Sequence, residues 1–64
     1  MDCIRFYDTQ VSLEEPMLIV NADHRVRPAV GDCIYNNGNK YKVIEICIDY
    51  YKYNFDVFLE KISW

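Results

Sequence analysis

Residues 36–51 read NNGNKYKVIEICIDYY, and this stretch decides the fold. Asn37-Gly38 tolerates positive φ at both central positions of a turn, which suits a type I′ hairpin whose twist matches the strands it joins. The run that follows, Lys40–Tyr51, is rich in β-branched and aromatic residues and reads as one long strand. Tyr41 and Val43 share one face of it, with Lys40 and Lys42 on the other. Beyond them the apolar set moves to Ile44, Ile46 and Ile48, opposite Glu45, Cys47 and Asp49. A period of two cannot change phase without an extra residue, so a bulge or sharp bend is expected at Val43–Ile44.

Working outward, Gly31-Asp32 marks a tight turn into a short strand, Cys33–Tyr35, which forms the other arm of the hairpin. On the C-terminal side, Lys52-Tyr53-Asn54 reads as a turn, and Phe55–Ile62 as a strand with Phe55, Val57 and Leu59 on one face. At the N-terminus, Cys3–Asp8 reads as a first strand and Met17–Asn21 as a second. Between them, Ser12 with Glu15 three residues on resembles a capping pattern, but Pro16 disfavours helical backbone at Glu15. A turn or a single helical turn is expected there. Asp23–Val30 is a connection pinned by Pro28. Five short strands and a bent fourth one predict an all-β fold: a small five-stranded SH3-like barrel, or a strongly twisted, rolled antiparallel sheet. The expected core is Ile4, Phe6, Leu18, Val20, Val30, Ile34, Tyr41, Val43, Ile46, Ile48, Val57 and Leu59.

Size and charge narrow the function. The chain has 64 residues, 52% hydrophobic and 16% aromatic, which suits one folded domain and not a disordered chain. A domain this small buries only about 60% of its unfolded surface, so self-association is an expected source of stability. Ten acids against seven bases give a net charge of −3, which argues against wrapping duplex nucleic acid. No apolar run approaches the roughly 20 residues of a membrane helix, and no charged segment with an apolar core reads as a secretory signal. The three cysteines, Cys3, Cys33 and Cys47, show no metal-ligand spacing. They read as free thiols in a cytoplasmic protein, small hydrophobes on strands rather than zinc ligands with His24. No metal or other cofactor is expected.

The pattern Val30-Gly31-Asp32, apolar strand, Asn37-Gly38 turn, Tyr41-Lys42-Val43, long Ile-rich strand and final alternating strand covers Pro28–Ile62. It resembles the small SH3-like barrel proteins of phages and other mobile elements. That resemblance implies a barrel fold and a role as adaptor, structural part or inhibitor of a host enzyme. It implies no catalytic residue.

Candidate sites follow from residues the barrel does not absorb. His24 is the sole histidine and reads as a solvated loop residue. Glu45, Asp49, Asp56 and Glu60 interleave with lysines on neighbouring strands and read as cross-strand charge pairs, not as a paired-acid catalytic site. No enzyme is expected. Ten aromatics exceed what so small a core can hold: Tyr50, Tyr51 and Tyr53 crowd one turn, Phe58 alternates against the core positions, and Trp64 ends the chain. Tyr and Trp supply large, rigid area with a polar handle, so this set is read as the anchor of a protein-binding surface, with Asp49 and Asp56 at its rim. The partner is a protein, another copy of the chain included. The alternative is a single-stranded nucleic-acid module built on Arg25, Arg27, Lys40 and Lys42, with bases stacking on the aromatics.

Overall fold

Alternating apolar residues over short runs can bury one face only by pairing with other strands, and the five runs do so in one sheet. A computed structural model describes residues 3–21 and 27–62. Its strands are β1 (Cys3–Asp8), β2 (Leu18–Asn21), β3 (Cys33–Asn36), β4 (Asn39–Asp49) and β5 (Asn54–Ile62), in the spatial order β2-β1-β5-β4-β3. The sheet curls into a half-barrel with β2 and β3 at its two open edges.

The hairpin is where the sequence places it. Asn37 and Gly38 have φ of 53° and 82°, and Asn36 pairs with Asn39 across the two-residue turn. The bend in β4 is also present. Val43 pairs with Leu59 and Glu45 with Phe58, so Ile44 is the extra residue that opposes nothing on β5. This single insertion keeps Val43 and Ile46 on the same concave face, although they are an odd number of positions apart. Asp32 extends the β3–β4 ladder: its carbonyl accepts from Val43 N–H, and Gly31 N–H donates to the Val43 carbonyl. Gly31 itself has φ of 97°, a conformation glycine reaches without strain.

The sheet is mixed, which corrects the antiparallel expectation. β1 runs antiparallel to β2 but parallel to β5, with Ile4 beside Phe55 and Phe6 beside Val57. The parallel ladder aligns three side-chain pairs on its convex face. Cys3 Sγ donates to Asn54 Oδ1 at 3.1 Å, Arg5 Nε donates to Asp56 Oδ1 at 2.7 Å, and the Tyr7 and Phe58 rings stack at 5.2 Å. Past β1 the chain stays tied to β5, because Thr9 donates to the Leu59 carbonyl from both its N–H and its hydroxyl.

Ile4, Phe6, Tyr41, Val43, Val57 and Leu59 form the buried core, and Met17, Leu18, Ile34, Ile46 and Phe55 pack against it. Three expected core residues are exposed instead. Val20 lies on edge strand β2, Val30 in the turn before β3, and Ile48 near the end of β4 where the half-barrel opens. Conversely, Tyr7 and Asp8 are buried without having been expected there. Asp8 is held by its turn: its Oδ1 accepts from Gln10 N–H, and its carbonyl accepts from Val11 and Ser12. The Ser12 hydroxyl oxygen accepts from Glu14 and Glu15 N–H, as a cap would, but no helix follows. The Pro16 restriction on Glu15 is the reason.

A candidate protein-binding surface at the tyrosine turn

Asp49 closes β4 and builds the turn. Its Oδ1 accepts from the N–H groups of Tyr51 and Lys52, at 3.0 and 3.1 Å. This is the side-chain-to-backbone bonding by which aspartate substitutes for a continuing ladder. Tyr50–Tyr53 form the turn, so β4 ends two residues earlier than the apolar pattern predicts, and Tyr53 takes a positive φ of 56°. The consequence for the side chains is direct. Tyr50, Tyr51 and Tyr53 are 76%, 91% and 61% exposed. Three large aromatics thus stand on a turn whose backbone is fixed, which lowers the ordering cost of using them in a contact.

Beneath the turn lies a cleft of about 240 Å³ lined by Arg27, Ile48, Tyr50, Tyr53 and Phe55. The Arg27 guanidinium lies 5.2 Å from the centre of the Phe55 ring, within the range of a cation–π contact. A larger cleft of about 590 Å³ opens between the two edge strands, over Ile4, Phe6, Val20 and Ile34. Arg27 lines both.

The other expected anchors stand apart from the turn. Phe58 is half-buried, and one face of its ring is taken by Tyr7. Tyr7 is itself only 6% exposed, so the pair is part of the sheet's packing. Asp56 is engaged by Arg5, whose pKa is raised above its usual range by the hydrogen bond to this carboxylate, against the lowering effect of burial. Neither residue belongs to a free rim around the tyrosines, and of the expected rim acids only Asp49 remains at the turn. Trp64, Arg25 and His24 lie outside the described residues. Tyr35 is a further exposed aromatic that the strand pattern did not single out. It stands on the convex face of β3 with Lys40 Nζ 5.9 Å from its ring centre.

The basic residues are dispersed. Lys40 and Lys42 alternate with the core residues Tyr41 and Val43, and so sit on the convex face. There Lys42 pairs in register with Glu60. Arg27 lines the clefts on the concave side. No continuous basic groove joins them among the described residues, whereas strand-tracking nucleic-acid sites rely on one.

The acids are likewise spread over the convex face, with Glu45 opposite Phe58, Asp56 opposite Cys47 and Glu60 opposite Lys42. Cys33 and Cys47 are exposed free thiols and Cys3 is half-buried. Among the described residues no group of three His, Cys, Asp or Glu side chains is placed to hold a metal ion. No helix there is long and apolar enough to cross a membrane.

Comparison with protein-family models, curated proteins and solved structures finds no match. The residues alone therefore carry the functional reading.

Proposed function

We propose that the protein is a non-enzymatic protein-binding module that docks through the tyrosine turn, onto a second copy of itself or onto a virion or host protein. The reading rests on one observation: Tyr50, Tyr51 and Tyr53 project from a turn pinned by Asp49, and all three are largely exposed. Exposed aromatics of this kind are the residues that dominate contact energies. The small core adds support, since a domain with so few fully buried side chains gains stability from association. The SH3-like reading of the half-barrel is supported by the Asn37-Gly38 hairpin and the bulged β4. The parallel β1–β5 ladder departs from an all-antiparallel barrel. Free thiols support a reducing compartment such as the cytoplasm.

The test replaces Tyr50 and Tyr51 by Ser together and compares the mass by light scattering, and the proteins retained by the tagged chain, with those of the wild type. Loss of assembly or of a specific partner with an unchanged circular dichroism spectrum supports the proposal. Retention of every assembly and partner by the double variant refutes it.

A further inference from the structure

The cleft under the tyrosine turn is already occupied at one ring by a cation of the same chain, and that contact identifies what it takes. We infer that this cleft accepts a cationic side chain, a guanidinium or alkylammonium group, presented by the partner. The inference rests on the docking role proposed for the turn and deepens it.

Three rings line the cleft: Phe55 at its base, half-buried, with Tyr50 and Tyr53 at its exposed rim. The face of an aromatic ring carries negative potential and attracts a cation within about 6 Å of its centre. Arg27 shows that attraction at Phe55, with its guanidinium 5.2 Å from the centroid. Arg27 is an exposed residue beside Pro28, between β2 and β3, so its side chain reaches the ring from outside the strands. About 240 Å³ remains open alongside this contact, and the two tyrosine rings that face it are mostly exposed. Asp49 and Lys52 on the turn offset each other and Arg27 adds one positive charge, so the ring faces attract an incoming cation while Arg27 opposes it. Arg27 then has two roles. It covers one face of the Phe55 ring when the cleft is free, and it competes with an incoming cation.

The competition makes the inference testable on the whole chain. The probe is N-acetyl-argininamide, with the uncharged N-acetyl-citrullinamide as its control, titrated while the ring proton resonances of Tyr50, Tyr53 and Phe55 are followed by NMR. Saturable shifts with the arginine probe and none with the citrulline probe are expected. Arg27→Ala should tighten binding about threefold or more, because the internal competitor is gone. In that background Phe55→Leu, which keeps an apolar side chain but removes the ring, should weaken it by a similar factor. Tyr53→Asn should do the same without touching the core, because asparagine tolerates the positive φ of this position. Equal binding of the two probes, or no saturable shift in Arg27→Ala, overturns the inference.

Tyr51 does not line the cleft, so it separates this inference from the docking role itself. Tyr51→Ser is expected to weaken assembly while leaving the arginine shifts intact. Persistence of assembly in both Tyr51→Ser and the Tyr50→Ser/Tyr51→Ser variant would instead remove the docking role.

Discussion

The stacked pair Tyr7 and Phe58 allows the parallel β1–β5 ladder to be measured as an energy. The perturbation is a double-mutant cycle with Phe58→Leu, Tyr7→Leu and the two together, leucine being chosen so that each site keeps an apolar side chain. The rings lie 5.2 Å apart with 21° between their planes, a stacked geometry worth about 0.5–1.5 kcal/mol beyond area burial. At about 0.05–0.15 kcal/mol per residue, 64 residues imply a total stability of about 3–10 kcal/mol, so this coupling is a measurable share of the whole. Urea unfolding followed by far-ultraviolet circular dichroism gives the four stabilities. With a slope of about 1 kcal/mol per molar for so small a domain, each single change should move the midpoint by about 1 M. Independent sites add within about 0.3–0.5 kcal/mol. Additivity within that margin would mean that the two rings do not stack. Phe58→Leu is also expected to leave docking at the tyrosine turn unchanged once its lower stability is allowed for, since the ring serves the sheet.

Other consequences follow from single positions. Leu59 is fully buried on the central strand β5, so Leu59→Ala should cost about 2–5 kcal/mol and leave a substantial unfolded fraction in calorimetry without denaturant. Gly38 has φ of 82° with open space around it, so Gly38→Ala should lower stability by about 1 kcal/mol through backbone strain alone. A loss near zero would mean the turn is not type I′. Arg5→Gln should cost only about 0.2–1 kcal/mol, because the Arg5–Asp56 pair is partly solvated. The raised Arg5 pKa fixes the sign of its pH dependence: the contribution is complete below the guanidinium's unfolded value and is lost only in strong alkali. The difference between wild type and this variant should therefore stay flat from about pH 7 to 10.

Local features of this fold were legible because their causes are local. Asn37-Gly38 specifies a turn with positive φ whatever surrounds it, and the phase change at Val43–Ile44 admits only an inserted residue. The parallel ladder was not legible. Cys3 and Asn54 are 51 residues apart, and a period of two reads the same in either direction, so nothing in the pattern says that β1 runs along β5. The partners of Phe58 and Asp56 were hidden for the same reason: alternation puts both on the convex face but cannot show that Tyr7 and Arg5 meet them there. Val20 looked like core until its strand proved to be an edge. The tyrosine surplus could be read from the sequence, because three aromatics within one four-residue turn have no core to enter. The Arg27–Phe55 contact could not, since it joins a connection to a distant strand.

Residue-resolved iodination of the tyrosines tests the docking surface most directly. In dilute protein Tyr50, Tyr51 and Tyr53 should react readily, whereas Tyr7 and Tyr41, both buried, should not. In the assembled form, whether self-associated at high concentration or bound to a partner, the three turn tyrosines should become protected together. An assembly in which all three react as fast as in the dilute chain would contradict the account.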